Sequence, residues 1–570
     1  MQLRTDFDPI TLEVYWNRLI SLMDEVDATL VRTSFSTIVG ESRDFAVIML
    51  DAQGRSVAQS TFSSPAFTVT LPFTVKAFLR KYPLETLQPG DVLITNDPWL
   101  ASGHLPDLSI AMPVFYKGKV VAFMATAAHI ADIGGTLAWF DARDLFEEGL
   151  RIPPMKLYEA GQPNEVLMEM IRANVRVPDQ VLGDIGAIRA SEILGARRLC
   201  EFFADAGLED LTALSNAILD RTELAMRNAI RELPNGVSVG ETWADGVGTP
   251  LHLKVTLEVR DDEIFLDYTG SSPQYARGSI NNTFNLTFAD TANSLKCALL
   301  PQVPNNEGLF RPIHVSAPEG CVLNAKFPVS VKSRSKTSFH IHNAIYAALA
   351  PLAPDKVQAG SGSFWAFTAN GAWPDGTRYN VHILPNGGKG AVSGQDGLPT
   401  IAFPYNGTIT PAEIIESQSP ILVVERRLLA DSAGPGKYRG GLGQRITFRA
   451  REGADITASL RPDKVRYPVP GIMGGKPAPL GVCLVNGEPL AADASVVNLR
   501  PGDEVVYNVP GGGGFGPPEE RDPELVAKDV RYGFVSVESA RRDYRVAIDP
   551  KSGEVDWEET QALRSRPNSE

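Results

Sequence analysis

Two short stretches, Gly103-His104-Leu105-Pro106-Asp107 and Ala128-His129-Ile130-Ala131-Asp132-Ile133-Gly134-Gly135, with Asn96-Asp97-Pro98 just upstream, organise the reading of this 570-residue chain. Only seven histidines occur in the whole sequence, yet two of them fall in this one polar, glycine-punctuated region beside carboxylates. A neutral imidazole and a carboxylate are the ligands that a borderline or hard divalent cation takes from protein. His104 and Asp107 lie three apart on a turn that Pro106 stiffens, and His129 closes a segment, residues 120–128, that reads as a buried strand. Brought side by side, the two ends make a three-ligand pocket with open positions, the form that catalytic metal sites take. The same spacing also suits a histidine hydrogen-bonded to an aspartate in a loop, and spacing alone leaves both readings open.

Working outward, Asp8-Pro9 reads as an N-cap with proline at the first helical position. Leu12, Trp16, Leu19, Met23, Val26 and Leu30 then repeat at helical spacing, so a long amphipathic helix opens the chain, its aromatic and Met positions facing a core. Asp44 begins an apolar run, residues 45–50, that reads as a strand; residues 44–130 alternate short strands with one helix near 71–82. From 164 to about 233 the pattern is strongly helical and ends at Pro234-Asn235-Gly236, a boundary signal. Residues 251–268 alternate in strand fashion, and 285–300 and 337–351 read as helices. The last third is rich in Gly and Pro, with short strands near 482–486 and 505–509, a short helix near 523–541 and a charged, frayed end from Lys551. The expected architecture is α+β with mixed sheets: an N-terminal region at 1–235, a middle α/β region at 236–420 and a β-rich region at 421–570. No internal repeat of 20–50 residues is visible.

Composition narrows the class. Hydrophobic content of 43% and charged content of 21% are those of a globular protein large enough for more than one domain. A formal net charge of −14 argues against nucleic-acid or anionic-membrane binding, which needs a basic face. Residues 1–6 carry no apolar signal core, and no segment has the length of a membrane span. Cys200, Cys297, Cys321 and Cys483 are scattered, with no C-x-x-C, and read as free thiols in a reducing, cytoplasmic setting. Gly387-Gly388-Lys389-Gly390, Gly434-Pro435-Gly436-Lys437 and the run 511–514 invite a phosphate-loop reading. In the first two the Lys is followed by Gly390 or Tyr438 rather than Ser or Thr, and Gly516-Pro517-Pro518 stops a helix after the third. They are taken as tight turns or places where backbones approach closely, and no ATP is assigned to this chain.

The chain resembles the hydantoinase B/oxoprolinase family nearly end to end. Asp8-Pro9-Ile10-Thr11-Leu12-Glu13-Val14 and Glu41-Ser42-Arg43-Asp44-Phe45 look like the family opening. The two histidine stretches follow, then Glu148-Gly149-Leu150-Arg151-Ile152-Pro153-Pro154 and Asn306-Glu307-Gly308-Leu309-Phe310-Arg311-Pro312-Ile313. Later come Gly434-Pro435-Gly436-Lys437-Tyr438-Arg439-Gly440-Gly441-Leu442-Gly443, Pro510-Gly511-Gly512-Gly513-Gly514-Phe515-Gly516 and Val530-Arg531-Tyr532-Gly533-Phe534-Val535-Ser536. The resemblance implies a divalent metal, zinc or manganese with iron as a third option, held by Asp44, His104, Asp107 and His129. It implies a hetero-oligomer with a hydantoinase A-type, ATP-binding subunit that phosphorylates a small cyclic amide (a hydantoin, 5-oxoproline or a lactam), which this chain then opens. Glu148 is taken as a general base near that site, as a partner that orients a ligand, or, more simply, as a helix-terminal salt-bridge residue. Asp97 and Asp132 are taken either to orient the imidazoles or to cap turns. The family pattern often carries histidines after Ala58-Gln59, whereas residues 60–67 here have none. Two other readings stand beside hydrolysis. One is a subunit of an acetone- or acetophenone-type ketone carboxylase, whose alpha subunits tend to be longer; the other is a non-catalytic scaffold that completes its partner's site.

Overall fold

The computed structural model describes residues 7–401, 403–452, 455–490 and 495–565. The opening segment 1–6, read above for a signal core, lies outside the described residues. The fold is mixed α and β, with helices concentrated in the first two-thirds and small sheets in the last.

Helix α1 (Pro9–Thr33) starts where expected: the Asp8 carboxylate accepts from the amides of Ile10 and Thr11, and Pro9 takes the first turn. After a single turn, α2 (Thr37–Gly40), come β1 (Phe45–Asp51), β2 (Ser56–Gln59), α3 (Pro65–Lys81), β3 (Val92–Thr95), β4 (Asp107–Tyr116), β5 (Lys119–His129), β6 (Met155–Glu159) and β7 (Gln162–Pro163). The seven strands form one antiparallel sheet in the order β2-β1-β5-β4-β3-β6-β7. Helix α3 begins six residues before the expected start at 71, because Pro65 opens it and Pro72 is accommodated inside it.

This sheet is covered on both faces. Val47, Met49, Leu108, Ile110 and Met124 pack toward α1 and the long helix at Pro178–Ala206, while Ala46, Ile48, Leu50, Phe123 and Ala125 pack against Phe67, Leu71, Val75 and Phe78 of α3. Every residue of β1 is therefore buried, which is why its sequence runs apolar instead of alternating. The helical stretch contains α4 (Glu165–Asn174), α5 (Pro178–Ala206) and α6 (Thr212–Arg231), with α5 ended by Gly207 in the left-handed region.

A second sheet, in the order β11-β10-β9-β8, comprises β8 (Gly236–Ala244), β9 (Leu251–Arg260), β10 (Glu263–Asp267) and β11 (Ile313–Ser316). Helix α7 (Phe284–Leu299) precedes β11 in the chain, and α8 (Ser335–Leu349) packs on β8 and β9. Beyond them, β12 (Ala366–Ala372), β13 (Arg378–Ile383), helix α9 (Ala412–Gln418), β14 (Ile421–Leu428), β15 (Gln444–Ala450), β16 (Asp455–Arg461), β17 (Val482–Val485), β18 (Glu488–Pro489), β19 (Val496–Leu499) and β20 (Glu504–Val509) form two sheets around one core. Their orders are β13-β12-β16-β19 and β14-β15-β20-β17-β18, so the first joins strands from either side of residue 420. Trp365, Phe367, Phe448 and Tyr507 fill the space between them.

The glycine-rich stretches meet one another beside this core. Gly388 donates to the Pro510 carbonyl, Gly512 to Gly441 and Gly434 to Gly512. A Cβ on Gly388 or Gly440 would stand about 2 Å from the facing carbonyl oxygen. These are backbone-approach sites, which fits the sequence reading that set them apart from phosphate loops.

Two expectations for the end of the chain are corrected. The single helix near 523–541 is two, α10 (Pro523–Arg531) and α11 (Val537–Tyr544), separated where Gly533 takes a left-handed turn and Ser536 caps the next helix. The segment from Lys551 is not frayed over the described residues. A small sheet of β21 (Ala547–Ile548) and β22 (Val555–Asp556) leads into α12 (Trp557–Ser565), whose buried Thr560 hydroxyl accepts from the amide of Ala547. Its charges sit on the outer side of an amphipathic turn that composition alone does not reveal. All four cysteines are free, and no helix among the described residues is long and apolar enough to cross a membrane.

Glu192 on α5 is fully buried, and among the described residues no cation faces it to offset a charge. Burial pushes its pKa well above the carboxylate range against the opposing pull of Thr126, so the folded chain holds it neutral. Its stabilising contribution is complete below the unfolded pKa and is lost as pH rises toward the folded one, at about 1.4 kcal/mol per pH unit across that window. Glu192→Gln is expected to leave thermal stability unchanged at pH 4 and to raise it above wild type by pH 8, as measured by melting curves.

Candidate metal centre

The antiparallel pairing of β4 and β5 places Asp107 directly opposite His129. The two residues found on separate stretches of sequence are thus cross-strand partners at one end of the ladder. His104 joins them through the tight turn that precedes β4, in which the Asp107 amide donates to the His104 carbonyl. Gly103 has a φ of +96°, and a Cβ there would run into the Arg334 side chain, so only glycine lets the turn close. Asn96 holds the turn from behind, donating to the carbonyls of Leu105 and Leu150 and accepting from the amide of Ile152.

Asp107 is the hub. Its Oδ1 lies 2.6 Å from His104 Nε2 and 3.0 Å from His129 Nδ1. Its Oδ2 accepts from the Ser102 hydroxyl at 2.7 Å and from Arg334 at 2.6 Å. Ligand atoms of His104, Asp107 and His129 all lie within 4.8 Å of one another. Burial alone would raise the Asp107 pKa, but His104, Arg334 and the two imidazole hydrogen bonds outweigh it and hold the carboxyl well below its usual range. Burial, reinforced by the Arg334 charge, pushes His104 down to about 4.

The residues present fit a divalent cation. His104 Nδ1 lies 2.9 Å from the Lys332 carbonyl, an acceptor only, so Nδ1 carries the hydrogen and Nε2 presents a lone pair. With a proton on it, that nitrogen makes a charge-assisted hydrogen bond to Asp107 Oδ1 at 2.6 Å; with the proton displaced, the same two atoms are donors of the kind a divalent cation takes.

Asp44 stands one residue before β1, and its carbonyl accepts from the His129 amide at 3.0 Å. Its side chain lines the same cavity as both imidazoles, together with Arg334, Ser335, Tyr405 and Arg461. Burial first, and the neighbouring Asp107 charge with it, raise its pKa against the opposing pull of His129, Arg334 and Arg461. The carboxylate is not part of the three-residue group whose ligand atoms lie within 4.8 Å. Glu148 is fully buried behind the cluster, and its Oε1 accepts from the amides of Val331 and Lys332, both at 2.8 Å. Burial raises its pKa to about 7, against the opposing effect of those bonds and Lys332. Because the Lys332 carbonyl is the partner of His104, Glu148 touches the cluster through one stretch of backbone.

Asp97 and Asp132 contact neither imidazole. Asp97 caps a turn by accepting from the Trp99 amide and pairs with Arg151; Asp132 accepts from the Gly134 amide and pairs with Arg176. Of the two accounts left open for them, turn capping is the observed one.

Several cavity residues escape sequence inspection. His382, on β13, stacks 5.6 Å from His129 and bonds through Nδ1 to the Thr368 hydroxyl. A single histidine on an otherwise ordinary strand carries no local signal. Arg334 and Arg461 are two of many arginines until the fold brings them together. His340 belongs to a separate buried group with Asp463, Lys336 and Lys464.

The comparisons agree with this architecture. The family profile described as Hydantoinase B/oxoprolinase matches residues 8–518. A Pseudomonas sp. (strain NS671) protein, provisionally named as the B component of a D-/L-hydantoinase, is 31% identical over 98% of each chain. The acetophenone carboxylase delta subunit of Aromatoleum aromaticum (strain DSM 19018 / LMG 30748 / EbN1) is 25% identical, over 99% of this chain and 90% of that one. Among solved structures, the crystal structure of the ATP-dependent caprolactamase from Pseudomonas jessenii superposes with a TM-score of 0.90 at 27% identity, covering 99% of this chain and 100% of that one.

If Glu148 acts through the 331–332 backbone, Glu148→Ala should weaken Co2+ binding to the purified chain by about 10–100-fold. Glu148→Gln, which keeps the Oε1 acceptor, should stay within a few-fold of wild type in the same spectroscopic titration.

Proposed function

Because the chain belongs to the hydantoinase B/oxoprolinase family, we propose that it is the metal-dependent subunit of an ATP-dependent amidohydrolase acting on a cyclic amide such as a hydantoin, 5-oxoproline or a lactam. In this reading an A-type partner binds ATP and phosphorylates the substrate, and the activated compound is opened at the His104–Asp107–His129 cluster. The observation that carries the reading is the pair of imidazole nitrogens converging on one buried carboxylate oxygen, a donor set of the kind a divalent cation takes.

Zinc or manganese suits two imidazoles with carboxylates, with iron as the third option. Such a cation supplies Lewis acidity and lowers the pKa of water toward neutrality. The protein's own groups do the rest. His104 is fixed as the Nδ1–H tautomer by the Lys332 carbonyl, so its Nε2 is free to ligate. Asp107 is held ionised by Arg334 and offers Oδ1 to the site. Asp44, tied to His129 through the backbone, is read as the fourth ligand. Glu148 is read as a positioning residue and not as the general base, since its carboxylate is committed to two backbone amides.

A carboxylase reading draws on one specific observation, the acetophenone carboxylase delta subunit that aligns over 99% of this chain. There the same cluster would join a CO2-derived carbon to an activated enol. The two are separated by supplying an A-type subunit, ATP and a cyclic amide, with and without bicarbonate. Ring-opened product without bicarbonate is the expected result, and Asp44→Asn and His129→Ala should lose it while ATP turnover by the partner continues in part. Product that forms only from a ketone and bicarbonate would replace hydrolysis with carboxylation. Full ring opening by a well-assembled His104→Ala variant would instead mark the chain as a scaffold.

A further inference from the structure

Arg461 ends strand β16 with its guanidinium inside the cavity that contains the histidine cluster. It is 3% exposed, and among the described residues it makes no ion pair. Its carbon lies 5.3–5.6 Å from the ring centroids of Phe364, Trp139 and Phe339, so aromatic faces enclose it. Among the described residues its guanidinium makes one hydrogen bond, from Nη1 to the Ser335 hydroxyl at 2.7 Å, and its Nε is buried without a partner. The nearby Asp463 does not neutralise it, being committed to Lys336, Lys464 and His340. Of the other guanidiniums that line the cavity, Arg334 is taken up by Asp107 and Arg43 by Asp27.

A buried cation with donors left over costs free energy unless an anion arrives to meet it. Arg461 keeps that charge in a place where a ligand can reach it: Ser335, Arg334, His104 and His129 line the same cavity. Ser335 is also the first residue of the fifteen-residue helix α8, whose amide dipoles add positive potential at this end. Planar guanidinium donors suit the oxygens of a phosphoryl or carboxylate group.

We propose that Arg461 and Ser335 form an oxyanion subsite beside the His104–Asp107–His129 cluster, holding a phosphoryl or carboxylate group carried by the substrate. This rests on reading that cavity as the substrate site. Arg461 would then select anionic substrates and hold the anionic end while the cluster faces the carbon to be attacked.

The test needs neither the partner nor a metal. Inorganic phosphate and acetate are titrated calorimetrically into the full chain after chelator treatment. The expected result is saturable binding that weakens at least about tenfold in Arg461→Met and by a smaller factor in Arg461→Lys and Ser335→Ala. A preference for phosphate over acetate assigns the subsite to a phosphoryl group, and the reverse assigns it to a carboxylate. No binding of either anion to wild type, or binding unchanged in Arg461→Met, overturns the proposal. Should Arg461→Met fail to fold, unchanged binding in both Arg461→Lys and Ser335→Ala overturns it equally. Because the protein is metal-free throughout, failure of the subsite and failure of the hydrolase reading are separate results.

Discussion

The Asp107 carboxylate is the interaction on which the rest depends. A fully buried carboxylate is costly unless each of its oxygens is satisfied, and here two imidazoles, a serine hydroxyl and a guanidinium satisfy them together. Three of these groups come from the first sheet and the turn that feeds it. The fourth, Arg334, comes from the start of α8, more than two hundred residues away in sequence. Removing it would leave a buried charge uncompensated, a loss of about 3–5 kcal/mol in comparable buried pairs. The same bond therefore fixes the geometry of the cluster and fastens the middle of the chain to its N-terminal sheet.

The surroundings explain why this geometry can be held. Because helices cover both faces of the seven-stranded sheet, neither end of the β4–β5 ladder is free to slip in register, and Asp107 stays opposite His129. The loop after β5 is anchored to the C-terminal sheets, with the Asn380 amide donating to the Ala131 carbonyl and the Ser459 hydroxyl to the Leu137 carbonyl. Glu148 and Lys332 close the back of the site. The cavity is thus a meeting point of the N-terminal sheet, the start of α8 and the β-rich region.

What the sequence revealed follows from how local each signal was. The long first helix, the helices near 285–300 and 337–351 and the buried strand ending at His129 all carry their periodicity within a few turns, and they appear where that periodicity placed them. His104 and Asp107 were visible for the same reason, being three residues apart on a turn. Asp44 came only through family resemblance. His382, Arg334 and Arg461 were invisible because nothing in their own strands or turns distinguishes them; they acquire meaning from neighbours that are distant in sequence. The end of the chain misled because a charged stretch was equated with an unpacked one, whereas Thr560 and its neighbours fold back onto Ala547.

The converging imidazoles and carboxylate either hold a metal ion or form a structural hydrogen-bond network. The most direct measurement is elemental analysis of the purified full-length chain, wild type beside His104→Ala and His129→Ala, with folding confirmed by circular dichroism. Near-stoichiometric zinc, manganese or iron in the wild type, lost from both folded variants, is the predicted result. A wild-type chain that carries no metal and takes up none on reconstitution would contradict the account, and would leave Asp107 as the centre of a purely structural hydrogen-bond network.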